Sequence, residues 1–247
     1  ETEPEFQAKL DWMDRFVREE VEPLDLAFRD SGAPYDRKNP VYRKVTAPLS
    51  AEVKKQGLWA CHLGPELGGL GYGQVKLALI NEILGRSTWA PSVFGCQAPD
   101  SGNAEILAHY GTPAQKERYL KPLLDGDIVS CFSMTEPQAG ADPREFRCRA
   151  VRDGDHWVLD GEKYFSSNAD FAEFLIVMAI TNPDVPVHQG ASMFLVPRNT
   201  PGLNLARMAG LGGEPLGHGH HAYIRYEHCR VPAENLLGGE GQAFASA

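Results

Sequence analysis

The sequence predicts an α+β protein in which a helical N-terminal domain is followed by a β-barrel or β-sandwich domain. Apolar residues recur every three or four positions in the first half of the chain, which is typical of amphipathic helices. After Gly126 the pattern changes to short apolar runs separated by glycine and proline turns, which is typical of strands. We therefore predict a helical domain over residues 1–127, a β domain over residues 128–240, and the start of a truncated helical domain over residues 241–247.

Helices in the first domain are predicted from their start and stop signals. A capping box over Thr2–Glu5 begins the first helix, and Pro23 ends it. Thr112, Pro113 and Gln115 form a second start signal, with threonine as N-cap, proline at the first helical position and glutamine at the third. Further helices are predicted around residues 49–56, 75–84 and 103–110.

An irregular connection and a set of strands complete the predicted organisation. Residues 31–48 contain three prolines and a glycine, so we predict an irregular connection there. In the second half, Asp153-Gly154 separates two apolar runs and predicts a hairpin. The strands are predicted around residues 151–152, 157–159, 163–165, 174–180, 191–197 and 222–231.

Composition excludes several classes of function. A formal net charge of −9 argues against non-specific binding of nucleic acid, which needs a basic face. The longest apolar run, Phe174–Ile180, is far shorter than the roughly 20 residues of a membrane span. The five cysteines are widely spaced and form no CxxC pair, which argues against a disulfide framework. We therefore expect a bacterial cytoplasm or a mitochondrial or peroxisomal matrix, and not a secreted protein.

One stretch, Cys131–Asp142, combines the features of a ligand-binding loop. It begins as a strand and is broken at Pro137, which releases backbone N–H groups from strand pairing. Such groups can bind the acceptor-rich edge of a ring or a phosphate. Thr135 adds a hydroxyl donor, and the small residues that follow allow a ligand to approach the backbone closely.

The pattern Thr-Glu-Pro-x-Ala-Gly-x-Asp over residues 135–142 resembles the flavin signature of the acyl-CoA dehydrogenase family. Other motifs follow in the order typical of that family, and they resemble the branch of family members ten and eleven. They lie at residues 57–59, 65–71, 98–103, 110–112, 115–116, 122–126, 194–197 and 231–236. Each motif alone is unspecific, whereas their order and spacing across nearly the whole chain are specific.

The resemblance implies a helical N-terminal domain, a β-barrel middle domain and a C-terminal four-helix bundle that is absent from this chain. It also implies FAD as cofactor, with the isoalloxazine ring against the middle domain and Thr135 near its reactive N5/O4 edge. Phe165 and Ser167 stand where the family usually has tryptophan and threonine, so they are expected to supply an aromatic neighbour and a hydroxyl donor. The residues assigned to the cofactor are Phe132, Ser133, Met134, Thr135, Gly140, Ala141, Asp142, Phe165, Ser166 and Ser167.

Two positions depart from the pattern of the family. Ala141 replaces a serine whose hydroxyl serves the FAD diphosphate or the acyl-CoA, so the resemblance also assigns Ala141 to substrate binding, without that hydroxyl. Phe165 replaces a tryptophan, which keeps an aromatic surface for stacking but removes the indole N–H donor. We expect these changes to affect affinity or substrate preference and not the identity of the cofactor.

The activity implied by the resemblance is oxidation of an acyl-CoA thioester of fatty-acid metabolism. In the family a carboxylate removes the α proton while a hydride leaves the β carbon for flavin N5, and hydrogen bonds to the thioester oxygen stabilise the enolate. That carboxylate belongs to the absent bundle, so no catalytic residue is assigned here and the truncated chain alone is expected to be inactive. The implied partners are an acyl-CoA, an electron-transfer flavoprotein or similar acceptor, and further copies in a homodimer or homotetramer of the full-length protein.

Other functions stay open on the sequence alone. A flavin oxidase or monooxygenase of the same fold shares these domains, and a non-catalytic flavin-binding or assembly module needs no base. Gly217–His221 brings three histidines close in sequence, which suggests a metal site. Alternate residues of an extended segment point to opposite faces and no fourth ligand is evident, so we predict a loop entering a strand and no metal.

Overall fold

The computed structural model describes residues 2–29, 32–67, 69–210 and 219–246. They form two compact units, Glu1–Ser101, here called the helical unit, and Gly102–Ala247, here called the sheet unit. The predicted order of a helical part followed by a β part is confirmed. In this division the helices of residues 102–127 belong to the sheet unit and pack on its strands. The domain boundary predicted near residue 127 stays a prediction. All five cysteines lie within the described ranges, and no disulfide joins them.

The helical unit surrounds an apolar core in which Met13, Ile80 and Trp89 are fully buried. A π-helical turn, Val17–Val21, joins the first two helices without a break. No helix within the described ranges has both the length and the apolarity to cross a membrane. The helices are α1 (Pro4–Phe16), α2 (Glu22–Ala27), α3 (Pro40–Lys55), α4 (Gly73–Leu84) and α5 (Ala90–Val93), with a 3₁₀ turn at Pro65–Leu67.

Two predicted boundaries of the first helix are wrong. The N-cap is Glu3, which makes no side-chain cap hydrogen bond, and the Thr2 hydroxyl bonds instead to the side chain of Gln7. Because proline favours the first helical position, α1 begins at Pro4. Pro23 does not end the helix either, since it lies in the first turn of α2, where a missing N–H is tolerated.

The connection predicted over residues 31–48 is helical from Pro40 onward. Asn39 caps α3, because its side chain accepts a hydrogen bond at 3.0 Å from the N–H two residues later. Pro48 lies inside the helix, where its lost N–H and its steric clash usually cost about 3 kcal/mol. Burial of α3 side chains such as Val53 offsets that cost, which is why the prolines predicted a wrong boundary.

The sheet unit contains one eight-stranded sheet with helices packed against it. The strands are β1 (Ser130–Ser133), β2 (Arg149–Asp153), β3 (His156–Ser167), β4 (Phe174–Ile180), β5 (Ala191–Pro197), β6 (Leu203–Ala209), β7 (His221–Pro232) and β8 (Leu236–Leu237). The remaining helices are α6 (Asp100–Tyr110), α7 (Pro113–Gln115), α8 (Lys121–Asp125), α9 (Val187–Gly190) and α10 (Ala243–Ser246), with a π-helical turn at Lys116–Leu120 and 3₁₀ turns at Pro143–Glu145 and Ala233–Asn235.

The strand order is β6-β7-β3-β2-β4-β5-β8, and β1 pairs with β4 in parallel. β3 and β7 form a long antiparallel pair next to β6 at one end of this order. Within the described residues the sheet is not closed, because β6 and β8 end the order without pairing to each other. The predicted β domain is therefore confirmed as a sheet, but not as a closed barrel.

Strand β4 is buried on both of its faces. Phe174 and Ile176 pack into an apolar cluster that includes side chains of α6 and α8. Leu175 and Val177, which alternate with them, pack into a second cluster on the opposite face. A strand buried on both faces has a continuous apolar sequence, and this is why β4 was predicted correctly from its composition.

The capping box at the start of α7 is confirmed and provides a test of the fold. The Thr112 hydroxyl accepts a hydrogen bond from the Gln115 N–H at 3.2 Å, and Gln115 Oε1 accepts one from the Thr112 N–H at 3.0 Å.

Thr112→Ala removes the first bond, so we expect urea denaturation to show a free energy of unfolding lower by about 1 kcal/mol. Thr112→Ser keeps the hydroxyl and is the matched control, and equal losses in both variants would contradict the role of this cap.

Candidate functional site

The loop that follows β1 is held against β3 by a backbone hydrogen bond. β1 ends at Ser133, and the Thr135 carbonyl oxygen then accepts a hydrogen bond from the Tyr164 N–H at 2.8 Å. The chain turns at Pro137, as the sequence predicted. This arrangement fixes the backbone of Thr135 beside the strand that carries the second group of predicted site residues.

Several backbone donors of the loop are used within the loop itself. The N–H groups of Ala139 and Gly140 donate to the Glu136 carbonyl oxygen at 3.1 and 3.4 Å, and the Asp142 N–H donates to the Ala139 carbonyl oxygen at 3.0 Å. A tight turn satisfies its own donors because its carbonyl groups lie nearby. These three amides are therefore engaged within the loop, and the assignment of Gly140 and Asp142 to a ligand stays a prediction. Gly140, with φ of +55° and open space where a Cβ would stand, still permits close approach.

A buried ion pair joins this loop to β3. Glu136 Oε1 lies 2.8 Å from Lys163 Nζ, and the two side chains are 1% and 0% exposed. Lys163 Nζ also donates to the Met134 carbonyl oxygen at 2.7 Å, and it lies 4.5 Å from the centre of the Phe146 ring. One ammonium group therefore bonds to the residues on both sides of Thr135 and holds the loop at that point.

The Glu136 carboxylate receives donors on both oxygens. Oε2 accepts hydrogen bonds from the Arg147 N–H at 2.6 Å and from the Gln138 side-chain amide at 2.7 Å, while Oε1 accepts one from the Cys148 N–H at 3.0 Å. A buried charge is tolerated when it is paired and hydrogen-bonded in this way. The same enclosure raises the pKa of the Cys148 thiol to about 12, mainly through burial, so that this thiol stays protonated.

This ion pair is not among the predicted site residues, although the sequence contains a signal for it. Trp157 and Leu159 are buried inward residues of β3, and a period of two puts Lys163 on the same face. Lysine is almost never fully buried without a partner, so an inward lysine predicts a carboxylate nearby. The pattern alone does not identify Glu136, which is 27 positions away in the chain.

Two predicted cofactor residues have hydroxyl groups that point into the sheet. Ser133 Oγ and Ser166 Oγ are 2.8 Å apart, and the Tyr226 hydroxyl donates to Ser133 Oγ at 3.0 Å. All three side chains are buried, and burial raises the pKa of Tyr226 well above its ordinary value. These serines therefore support the interior of the sheet with their side chains, and only their backbone can face a ligand.

Phe132 and Met134 also pack on the inside of the unit. Both side chains are partly buried against the apolar cluster that includes α6 and α8. The two-residue period of β1 places Phe132 and Ser133 on opposite faces, and Met134, which directly follows β1, packs on the same side as Phe132. The predicted site residues of β1 are thus divided between the two faces.

The predicted residues with groups accessible to a ligand are Thr135, Phe165 and Ser167. No described residue forms a hydrogen bond with the Thr135 hydroxyl. Phe165 is 48% exposed, has φ of +54°, and stacks on Tyr164 with ring centres 3.9 Å apart. Ser167 Oγ lies 2.8 Å from His221 Nδ1. Because β3 is irregular between Lys163 and Ser166, two consecutive aromatic side chains reach its outer side.

Asp142 and Ala141 close the loop. Asp142 caps the 3₁₀ turn that follows, since its side chain accepts the Arg144 N–H at 3.0 Å. Its carboxylate also pairs with the Arg144 guanidinium through contacts of 2.7, 2.9 and 3.2 Å. These hydrogen bonds lower the pKa of Asp142 from its ordinary value of 3.8 to about 2. The Ala141 methyl group is exposed and brings no polar group to the loop.

The histidine-rich segment does not gather metal ligands in the part of the chain that the structure describes. Gly217 and His218 lie outside the described residues. His220 Nδ1 lies 3.0 Å from Asp170 Oδ2, and His221, which begins β7, contacts a serine hydroxyl. Within the described ranges no three Cys, His, Asp or Glu side chains are placed to hold a metal ion.

The fold and the loop agree with one protein family. Residues 3–127 match the model of the acyl-CoA dehydrogenase N-terminal domain, and residues 131–223 match the model of the acyl-CoA dehydrogenase middle domain. Together these matches cover most of the chain. The chain therefore belongs to the acyl-CoA dehydrogenase family, whose members are FAD-dependent oxidoreductases, as its motifs predicted.

Three relatives illustrate this membership and confirm the predicted branch. The chain is 42% identical over 205 residues to acyl-CoA dehydrogenase family member 11 of Rattus norvegicus, covering 81% of this chain and 26% of that protein. It is 37% identical over 244 residues to family member 10 of Mus musculus, covering 94% of this chain and 22% of that protein. A solved acyl-CoA dehydrogenase structure from Mycobacterium abscessus has a TM-score of 0.85 and 32% identity, over 100% of this chain and 63% of that chain. The chain thus spans about a quarter of the length of these curated relatives.

The ion pair predicts a large effect of removing one charge. Lys163→Met leaves the Glu136 carboxylate buried without its cation, so we expect the free energy of unfolding to fall by about 3–5 kcal/mol. Urea denaturation of the purified protein measures this loss. Lys121→Met, which removes an exposed lysine paired with Asp125, is the matched control and should cost at most about 1 kcal/mol. The double variant with Glu136→Gln should recover part of the loss, and a fully additive loss would contradict direct pairing.

The lowered pKa of Asp142 predicts a dependence of stability on pH. A carboxylate whose pKa is lower in the folded state stabilises that state above its unfolded pKa, and this contribution is lost as the pH falls through the folded pKa. For Asp142 the loss should therefore occur between about pH 4 and pH 2. Arg144→Gln should move the carboxyl titration, followed by NMR, upward toward 3.8. An unchanged midpoint in that variant would show that Arg144 does not set the pKa.

Proposed function

We propose that this chain forms the flavin-binding part of an FAD-dependent acyl-CoA dehydrogenase, which removes hydrogen from the α and β carbons of an acyl-CoA thioester. The observation that carries the proposal is the position of the Thr135 hydroxyl. It has no hydrogen-bond partner among the described residues, and its backbone is fixed to β3 on both sides. A rigidly held donor without a protein partner is suited to the acceptor-rich edge of a flavin.

Fewer of the predicted side chains are available to a flavin than the sequence motif implied. Thr135 can donate to the ring edge, Phe165 offers a half-exposed aromatic face, and Ser167 brings a hydroxyl next to His221. The side chains of Ser133 and Ser166 are engaged with each other, so their contribution is through the backbone. These features support FAD as the cofactor.

The diphosphate end of the cofactor is expected beside the small residues of the loop. The open space at Gly140 allows the backbone to approach a phosphate, whereas the carboxylate of Asp142 is taken up by Arg144. We therefore assign Asp142 to shaping the loop and Ala141 to the edge of the substrate channel, where its methyl group contributes contact but no hydrogen bond.

In this proposal the residues of the chain orient and shield the reacting atoms. When bound, FAD supplies the acceptor for the β hydride. Thr135 would hold the cofactor by its hydroxyl group, and Phe165 would offer an aromatic face that excludes water. The Glu136–Lys163 pair keeps Thr135 at a constant distance from β3, which is the positioning that such a transfer needs.

The remaining components of the reaction belong to the same proposal. We assign the carboxylate that removes the α proton to the part of the relatives that this chain does not span. The substrate is an acyl-CoA, the electrons pass to an electron-transfer flavoprotein or a similar acceptor, and the full-length protein is a homodimer or homotetramer. The separate matches of residues 3–127 and 131–223 support the domain boundary near residue 127.

The proposal is tested by FAD binding and by reduction of the bound flavin. The purified full-length protein should be yellow and should bleach anaerobically when an acyl-CoA is added. Thr135→Ala removes one neutral hydrogen bond, so the dissociation constant of FAD should rise by a factor of about 2 to 13. Thr135→Ser keeps the hydroxyl group and should bind FAD like the parent.

Two outcomes would change the conclusion. A folded protein that stays colourless and takes up no FAD would refute the proposal. Rapid reoxidation of the reduced flavin by oxygen, without any electron-transfer acceptor, would instead assign the protein to the oxidases or monooxygenases of the same fold. Both are measured by absorbance in stopped flow.

A further inference from the structure

Two cysteines of the helical unit, Cys61 and Cys96, lie side by side although they are distant in the chain. The Ala60 N–H donates to the Phe94 carbonyl oxygen at 2.8 Å, and this hydrogen bond joins the two segments just before each cysteine. Both cysteines pack in the apolar core of the helical unit. Their side chains form a hydrogen bond with each other, so the fold brings two thiol groups into direct contact.

The backbone before each cysteine holds this arrangement. Ala60 has φ of +50° and Gly95 has φ of +68°, so the chain turns sharply directly before or near each cysteine. A Cβ atom at position 95 would lie 2.5 Å from the Trp59 ring, so glycine is needed there. The Cys96 N–H donates to the Pro91 carbonyl oxygen at 3.0 Å, which ties Cys96 to α5. The contact between the thiols is therefore determined by the folded backbone.

The ligands of a metal site are not assembled around this pair. Among the described residues no third Cys, His, Asp or Glu side chain is placed with the two thiols to hold a metal ion. Both cysteines are free thiols. The chemistry that two adjacent thiols share is oxidation to a disulfide, whose sulfurs approach more closely than in a hydrogen bond and need only a small side-chain rotation to do so.

The two thiols differ in acidity and in access. The hydrogen bond from Cys96 lowers the pKa of the Cys61 thiol, and the same contact raises the pKa of Cys96 well above its ordinary value. Cys61 therefore has more thiolate character, and the thiolate is the nucleophilic form. Cys61 is 2% exposed whereas Cys96 is partly exposed, so a small oxidant approaches the pair from the side of Cys96.

The buried thiols of the sheet unit differ from this pair. Burial raises the pKa of Cys148 and the pKa of Cys229 to about 12, so both stay protonated near neutral pH. A protonated and buried thiol is a poor nucleophile. An oxidant should therefore select the pair of the helical unit over Cys148 and Cys229.

We propose that Cys61 and Cys96 form a modification site for hydrogen peroxide, at which the two thiols are oxidised reversibly to one disulfide. Neither residue is assigned to the flavin, so the inference goes beyond the proposed function and does not rest on it.

The reaction has two balanced steps. The Cys61 thiolate attacks one oxygen of the peroxide, the O–O bond breaks, and the proton that Cys61 gave up joins the departing hydroxide as water, which leaves a sulfenic acid on Cys61. The Cys96 sulfur then attacks the sulfenic sulfur, the S–O bond breaks, and the Cys96 proton leaves with the hydroxyl group as a second water. Two thiols lose two electrons and two protons, and the peroxide is reduced to two waters. Dithiothreitol reverses the change by thiol–disulfide exchange and is itself oxidised.

The test is peptide mapping of the purified full-length protein before and after treatment with hydrogen peroxide. Free thiols are blocked with N-ethylmaleimide in denaturant, and the protein is cleaved with trypsin without reduction. Cleavage after Lys and Arg puts Cys61 and Cys96 in separate peptides, residues 56–76 and 87–116. After oxidation these peptides should appear joined, with the mass of two hydrogens lost, and dithiothreitol should separate them. Cys148 and Cys229 should still carry the blocking group.

Serine variants separate the two steps. Cys96→Ser removes the thiol that forms the disulfide, so the sulfenic acid on Cys61 should persist and be labelled by dimedone. Cys61→Ser should lose both the joined peptides and most of the dimedone labelling. Cys229→Ser removes a thiol outside the pair and is the matched control, which should form the disulfide like the parent. Circular dichroism shows whether each variant is folded.

Thermal unfolding reports whether the bond fits the native fold. A disulfide between these positions closes a loop of about 35 residues and restricts the unfolded chain, so the melting temperature of the oxidised protein should be higher by roughly 5–15 °C than that of the reduced protein. Cys96→Ser should show no such difference between peroxide and dithiothreitol.

Two results would overturn this inference, and both are read on the parent protein without any variant. One is the absence of the joined peptides in folded protein after treatment with millimolar peroxide. The other is a melting temperature of the oxidised protein that is equal to or below that of the reduced protein, because a site built into the native fold must accommodate the bond. A failure to take up FAD would refute the proposed function alone and would leave the oxidation of the pair unchanged.

Discussion

The salt bridge between Glu136 and Lys163 is the interaction on which the candidate site depends. Removing two charges from water costs several kcal/mol for each ion, and their mutual attraction compensates only when the remaining donors and acceptors are also satisfied. Here the carboxylate receives the ammonium group, two backbone amides and a side-chain amide, and the ammonium group also bonds to a carbonyl. Such a pair specifies geometry more than it adds stability. It therefore restricts the loop after β1 to a single position relative to β3.

Strand β3 determines which side chains reach the surface beside this loop. Regular alternation along the strand gives an inward Lys163, and the irregular pairing that follows lets Tyr164 and Phe165 both reach the outer side before Ser166 turns inward again. Phe165 adopts a positive φ, which is uncommon for a residue with a bulky side chain. The strain is tolerated because hydrogen bonds and core packing on both sides of the residue determine the backbone. The aromatic pair at the surface is therefore a consequence of the buried contacts beneath it.

Much of the fold was predicted from the sequence, and two of the wrong helix predictions involve proline. The change from helical to strand period, the capping box at Thr112 and the doubly buried strand β4 are local patterns, and all three are confirmed. Pro23 was predicted to end the first helix, and Pro48 was counted toward an irregular connection. Pro23 is tolerated because it lies in the first turn of α2, whereas Pro48 is tolerated inside α3 because burial of neighbouring side chains outweighs a local penalty of about 3 kcal/mol. Local propensity is a weak guide wherever tertiary packing is strong.

The sequence by itself determined the family, the order of helices and strands, and the loop that turns at Pro137, because these depend on residues close together in the chain. Only the tertiary structure decided which polar groups are available to a ligand. Ser133 and Ser166 are 33 positions apart and their hydroxyl groups bond to each other, while the Thr135 hydroxyl has no hydrogen-bond partner among the described residues. Side-chain direction in an irregular strand is set by pairing with distant segments, and a motif carries no information about that pairing.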